Sequence, residues 1–548
     1  MSLDKSKLNK DTFCIAPWTE MHFGVKKEVM PCCIYDKGNP IGSLIESDNV
    51  EKIYNSEKAK KLRSDLFNGI KSEGCENCWK DEKITERESY RGFHNRLYST
   101  YLDEVLKNTN EDFSLKNIKL RRLDIRFDNK CNLKCRICNS DYSTTWYADD
   151  VKLGRKPKQK TDVYKQTIST KVFDFILDQL PNVDELFFAG GEPLIQDNHY
   201  KILEAVIDGG YSKQMRLTYN TNFSTLKYKN KNIVNLWKEF KKVDIGASLD
   251  ANLKQGEYQR KNIEWDLVEK NRKILKKLDN VGFIIIPTVG ILNVYNLPNF
   301  HKDWYKKKFL GIDDVKLNIL SGPKEYDIKN LPEHHKDKIK KLYKTHITWL
   351  KKHNSKSTIE DFKKIIKYLE TAKPEEPYLE DFIKFNTSLD EIRNESFYDI
   401  YPEYRDLVWY VKYKKVEWLE EELKYKIDIH DKKLEEELAL FEREIKYRDK
   451  ELNDSHKKFT KTEEHIKSIR SYIAQLEEER DMAHQKVIDN ESFINKTIIE
   501  SHYISLMKNL IERLDSREFA DTEILSLITV IKKRLKMITS KYGYTSLL

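Results

Sequence analysis

Residues 120–138 read LRRLDIRFDNKCNLKCRIC, and this stretch decides the fold. Its first part, Leu120–Phe127, is a strand candidate, with apolar and charged side chains alternating from Arg122 to Phe127. The strand leads straight into Cys131-Asn-Leu-Lys-Cys135-Arg-Ile-Cys138, three thiols in one short loop. Three thiolates can hold three irons of a [4Fe–4S] cube and leave the fourth iron open. A structural zinc knuckle is the alternative use of such a loop, although it needs a fourth ligand.

Downstream the strand signal recurs at Glu185–Ala189, Met215–Asn220, Asp244–Leu249, Phe283–Val289 and Val315–Leu320. Amphipathic helical stretches separate most of them: Val172–Leu180, Tyr200–Ile207, Ile233–Phe240 and Val268–Leu278. Six strands alternating with helices predict an α/β fold, a parallel sheet of right-handed βαβ units. The second strand runs into Ala189-Gly190-Gly191-Glu192-Pro193, for which an ordinary β-turn is the plain reading.

A C-x3-C-x2-C loop after the first strand, followed by Gly-Gly-Glu-Pro after the second, resembles the radical S-adenosylmethionine (SAM) superfamily. That resemblance implies a partial (β/α)6 TIM-type barrel over residues 116–330, with a [4Fe–4S] cluster on Cys131, Cys135 and Cys138. It implies that SAM chelates the open iron and that Gly190, Gly191 and Glu192 hold its amino group. The glycines would let the backbone approach the ligand closely. Asn220 and Asn222 at the third strand end, and Ser248 and Asp250 at the fourth, fit contacts to the SAM carboxylate and ribose; ordinary loop capping is the alternative. Ile137 departs from the family, which usually has an aromatic residue there, near the adenine. The implied chemistry is reductive cleavage of SAM to a 5′-deoxyadenosyl radical that abstracts hydrogen, fed by an electron donor such as a flavodoxin or a ferredoxin.

The other five cysteines, Cys14, Cys32, Cys33, Cys75 and Cys78, all precede residue 95, and none follows Cys138. Clustering of this kind points to metal or redox chemistry. Cys75-Glu-Asn-Cys78 is a C-x2-C knuckle, and Pro31-Cys32-Cys33 follows a hairpin signal through Gly24. By spacing, Cys14, Cys32, Cys75 and Cys78 suit a zinc ribbon or an iron–sulfur cluster equally. The run from Ile41-Gly42-Ser43 through a helix near Ser56–Leu66 to Cys78 resembles the SPASM/twitch module of radical SAM enzymes, which implies one auxiliary [4Fe–4S] cluster in residues 1–95. Cys33 is left over and reads as a small buried residue.

After Pro332 the chain turns helical and polar. Residues 331–415 are expected to pack on or near the barrel, with helices at Ile359–Leu369 and Tyr378–Phe385 separated by Lys373-Pro374. Leu434–Ile494 keeps a heptad register, roughly 90 Å of helix, so residues 416–495 are expected to form a coiled coil that makes the protein a homodimer; an intramolecular hairpin with the tail helices and a single helix held by charge pairs are the alternatives. A helical tail, 496–548, follows.

The chain has 548 residues with a net charge of +9, 34% charged and 39% hydrophobic. With neither a secretory signal nor an apolar run of membrane-spanning length, a cytoplasmic protein is expected. The basic clusters Lys60-Lys61-Arg63, Arg121-Arg122 and Arg155-Lys156-Lys158-Lys160 read as solvated surface rather than a nucleic-acid site, since no nucleic-acid module accompanies them. Relatives with a SPASM-type module often modify polypeptides, so the expected substrate is a peptide or protein. A carbohydrate or nucleotide-sugar substrate is the enzymatic alternative, and a coiled-coil scaffold with a vestigial barrel the non-catalytic one.

Overall fold

One eight-stranded sheet with two unlike faces organises the molecule. The computed structural model describes residues 3–84, 88–157, 168–375 and 377–412, and beyond them eight isolated helical positions between Ile429 and Lys533. The chain divides into two units, Met1–Glu421 and Glu422–Leu548.

The strands of the sheet, all in the first unit, are β1 (Glu20–Phe23), β2 (Glu28–Met30), β3 (Gly42–Ser43), β4 (Arg122–Ile125), β5 (Glu185–Phe188), β6 (Arg216–Thr221), β7 (Lys242–Ala247) and β8 (Val281–Ile285). Their order is β8-β7-β6-β5-β4-β1-β2-β3. Strands β4 to β8 are parallel and adjacent in chain order. Helices Thr170–Gln179, Asp197–Asp208, Ile233–Trp237 and Trp265–Leu275 lie in the four crossovers, as the amphipathic stretches predict.

One face of the sheet is apolar: Leu123, Ile125, Leu186, Phe188, Leu217 and Tyr219 are fully buried in the main core. The other face is charged. Glu20, Arg122, Glu185, Arg216 and Lys242 stand in one register row across β1, β4, β5, β6 and β7. Signs alternate over most of this row, so neighbours pair: Arg122 binds Glu20 on one side and Glu185, at 3.3 Å, on the other. Buried charges are tolerated only when paired in this way.

The expected sixth strand is reduced to Asn318–Ile319, which pairs in parallel with Thr288–Val289 in a separate two-stranded sheet. Phe283–Val289 does not run through as one strand, because Pro287 interrupts it and has no N–H for a ladder.

Residues 1–95 read as a separate module, yet β1 lies beside β4 as a parallel neighbour and extends the sheet. Its Met21 and Phe23 continue the apolar face, and its Glu20 and His22 continue the charged one. The hairpin through Gly24 and the helix Glu57–Phe67, capped by Ser56, form as expected.

Downstream, helices Glu333–Lys352, Ser357–Thr371 and Tyr378–Arg393 pack a second core around Tyr326, Tyr343, Phe362 and Phe382, with a break at Lys373-Pro374. The reading of the basic clusters as surface is corrected at two positions. Arg63 and Arg122 are buried, the first donating to the Tyr54 carbonyl and lying over its ring, the second in the charged row. Lys158, Lys160 and nearly all of the heptad segment Leu434–Ile494 and its tail lie outside the described residues.

Candidate iron–sulfur sites

The cysteine loop leaves the C-terminal end of β4 and is sewn to the loop after β5. Gly191 N–H donates to the Asp128 carbonyl at 3.1 Å, and Glu192 N–H to the Lys130 carbonyl at 2.8 Å. A Cβ on Gly191 would sit 2.2 Å from the Lys130 carbonyl oxygen, and Gly190 has φ +111°. Only glycine fits either position. At these positions the backbone of the loop after β5 lies directly against the cysteine loop.

Glu192 is buried at the centre of this junction. Its Oε1 accepts from Thr221 Oγ1 at 2.6 Å and Leu194 N–H at 3.1 Å, and its Oε2 from Asn222 N–H at 2.7 Å. The carboxylate therefore ties the ends of β5 and β6 together. Burial nevertheless raises its pKa to about 7, the hydrogen bonds opposing that shift only in part. Asn222 Nδ2 donates to Asn132 Oδ1 at 2.9 Å and lies 3.9 Å from Cys131 Sγ.

Cys135 lies on a two-residue strand, Lys134–Cys135, paired antiparallel with Arg260–Lys261. Arg260 Nη1 is 3.5 Å from Cys135 Sγ, and its Nη2 is 2.8 Å from Asp250. Asp250 also accepts from Thr288 N–H at 2.9 Å, so it is engaged in orienting Arg260. Ser248 is half-buried beside Thr221, and Asn220 is exposed on the charged face. Arg260 carries no motif and is invisible in the sequence; only the packing brings it to Cys135.

Arg136, between two of the cysteines, is anchored from the far end of the first unit. Its buried guanidinium binds Asp390, Glu395 at 2.7 Å and Asn386 at 2.9 Å, and covers the Tyr258 ring at 3.5 Å from the centroid. Arg393 adds an ion pair to Asp149 at 2.9 Å and stacks on Trp146. The helix Tyr378–Arg393 thereby clamps the cysteine loop.

Four of the N-terminal cysteines come together. Cys14, Cys32, Cys75 and Cys78 line one small cavity, with Pro17, Pro31, Tyr35 and Tyr90 among its walls. Cys33, adjacent in sequence to Cys32, instead meets the charged row beside Glu20, Asp124 and Arg122. Burial pushes the thiols of Cys75 and Cys131 up to about 12, and those of Cys14, Cys32, Cys78, Cys135 and Cys138 are raised as well. Such thiols stay protonated at neutral pH unless a bound cation takes the place of the proton. Both sets are soft sulfur donors, the ligand type of iron–sulfur clusters.

Residues 14–79 match the family model of SPASM, an iron–sulfur cluster-binding domain, and this match begins at Cys14 and ends one residue after Cys78. The chain thus carries a SPASM-type iron–sulfur module, ahead of a mostly parallel α/β sheet with the cysteine and Gly-Gly-Glu-Pro loops at its strand ends. No curated protein matches the chain. Among solved structures the chain is similar to anSMEcpe with bound AdoMet, at 19% identity and a TM-score of 0.29, over 42% of this chain and 56% of that one. The likeness spans about half of that protein's length. Among the described residues no helix is long and apolar enough to cross a membrane.

Proposed function

We propose that the chain is a radical SAM enzyme with one auxiliary [4Fe–4S] cluster, acting on a peptide or protein substrate. The observation that carries this reading is the junction at the strand ends. The cysteine loop after β4, the Gly190–Glu192 loop after β5 and Asn222 after β6 are hydrogen-bonded into one site on adjacent parallel strands. The C-terminal ends of such strands are where α/β enzymes build their sites.

Cys131, Cys135 and Cys138 would hold three irons, and Cys14, Cys32, Cys75 and Cys78 the auxiliary cluster. When bound, the first cluster and SAM together supply a carbon-centred radical after one-electron reduction by a flavodoxin- or ferredoxin-type donor. The protein's own part is placement. Gly190, Gly191 and Glu192 receive the SAM amino group, with Asn220, Asn222, Ser248 and Asp250 on its carboxylate and ribose side. Arg260 sets a positive charge against the Cys135 sulfur and offsets the negative charge of a thiolate-bound cluster. The polypeptide substrate follows from the resemblance to SPASM-type enzymes, many of which modify polypeptides; the module's four-cysteine cavity lies in the same unit as the cysteine loop after β4.

The test is anaerobic reconstitution followed by assay of 5′-deoxyadenosine with dithionite. About eight irons per chain are expected, about four on each cube. A Cys75→Ala/Cys78→Ala protein should lose about half and still cleave SAM. One zinc with about four irons would overturn the auxiliary cluster, and no 5′-deoxyadenosine from a fully loaded protein would overturn the enzyme.

Glu192 adds a signed pH dependence. Only its ionised form can pair with an ammonium group. With its pKa raised to about 7, SAM binding should tighten as pH rises towards 7, by up to about tenfold per unit, and level off above it. Glu192→Gln should flatten the profile in equilibrium dialysis. The same shift stabilises the ligand-free fold fully below the ordinary value of 4.5 and is lost as pH climbs through about 7.

A further inference from the structure

Three donor side chains meet far from any cysteine, where the second core closes. His334 and His335 occupy the first turn of the helix Glu333–Lys352, and Asp406 follows the short turn Pro402–Tyr404. Each imidazole Nε2 reaches a different oxygen of one carboxylate: His334 lies 2.6 Å from Oδ2, and His335 3.0 Å from Oδ1. All three donor atoms lie within 4.8 Å of one another, and this is the one such group of His, Cys, Asp or Glu among the described residues.

The surroundings hold the donors in place. His335 is buried against the Tyr295 and Tyr404 rings, at 5.9 and 5.2 Å between centroids. Its Nδ1 is 2.8 Å from the Tyr295 hydroxyl, which also lies 3.3 Å from the His335 carbonyl oxygen. In the tautomer with its hydrogen on Nδ1, His335 donates to the Tyr295 oxygen and Nε2 presents its lone pair towards Asp406, as a metal-bound imidazole does; in the other tautomer Nε2–H donates to Asp406. A hydrogen-bond acceptor on the outer nitrogen of a histidine is the kind of support that metal-bound imidazoles use. His334 and Asp406 are 44% and 46% exposed, which leaves the outer side open to water ligands.

We propose that His334, His335 and Asp406 form a binding site for a late first-row divalent cation, zinc by the chemistry of its donors. Two imidazoles and one carboxylate make a three-ligand zinc set, completed by water. The ion would staple the start of Glu333–Lys352 to residue 406, closing a loop that contains the whole Tyr378–Arg393 clamp. This site is independent of the iron–sulfur reading and survives its failure.

The experiment uses the full chain, reconstituted with iron and sulfide, stripped with a mild chelator, exposed to zinc chloride and passed through gel filtration. Zinc per chain is compared with that of His334→Ala and Asp406→Asn, checked for folding by circular dichroism. The eight cysteines are unchanged in both variants, so zinc held by thiolates cancels in the difference. The wild type should retain about one zinc per chain more than either variant, and zinc should raise its unfolding temperature but not theirs. Equal zinc content in all three proteins overturns the proposal, as does a difference that appears only with millimolar zinc. His334 is half exposed, so its replacement tests the site even if Asp406→Asn fails to fold.

Discussion

Cys135→Ala should abolish reductive SAM cleavage. A cube held by three thiolates has no spare ligand, and Cys135 is the one whose position is fixed on two sides. Its backbone pairs with Arg260, and the Arg260 guanidinium lies 3.5 Å from its sulfur. Changes to residues behind a metal ligand already cost about 10- to 100-fold in affinity or activity, so loss of the ligand itself should cost more than about a hundredfold. Iron should fall from about eight to about four per chain, the remainder on the N-terminal cysteines. The measurement is 5′-deoxyadenosine per chain with dithionite under anaerobic conditions, alongside iron content. Full activity in Cys135→Ala, or in Cys131→Ala or Cys138→Ala, would remove the cluster from this loop.

The second large effect is expected at Arg136, whose side chain is engaged by the helix Tyr378–Arg393 and the residues after it. Its guanidinium is wholly buried and is shared among Asp390, Glu395 and Asn386 over the Tyr258 ring. Arg136→Ala leaves two largely buried acidic groups short of their cation. Breaking a buried pair from one side costs about 3–5 kcal/mol. Lys261 still holds Glu395 at 2.8 Å, and Tyr258 still donates to Asp390 at 2.8 Å, which places the expected loss towards the lower end of that range. Arg136→Lys keeps the charge but not the planar fork, and should fall between the two. Equilibrium unfolding of the reconstituted protein reads the stability, and iron retained after gel filtration reads the clamp on the loop. A variant of wild-type stability that also keeps its iron would show that the helix Tyr378–Arg393 does not support the cluster.

The parts of this protein legible in its sequence are those with short-range causes. The thiols of Cys131, Cys135 and Cys138 fall together because eight residues of backbone cannot carry them far apart. The parallel strands β4, β6 and β7 show their period directly, since each offers one apolar face to helices. Strand β1 escapes such reading: four residues, Glu-Met-His-Phe, are too few to display a period, and its place beside β4 depends on a partner a hundred positions away. The basic pair Arg121-Arg122 carries no mark of burial either. Arg122 is internal because Glu20 and Glu185 arrive on neighbouring strands with compensating charge.

By itself the sequence determined the α/β alternation, the cysteine and Gly-Gly-Glu-Pro loops at consecutive strand ends, and the four N-terminal cysteines worth grouping. Tertiary structure alone decided the rest. It turned Cys32 into the shared cavity and its neighbour Cys33 to the charged row, because successive side chains leave the backbone in different directions. It brought Arg260 to Cys135, Arg136 to Asp390, and His334 and His335 to Asp406, pairs separated by 71 to 254 positions. A charged or ligating side chain carries no local record of its partner; the partner is supplied only when the elements between them have packed.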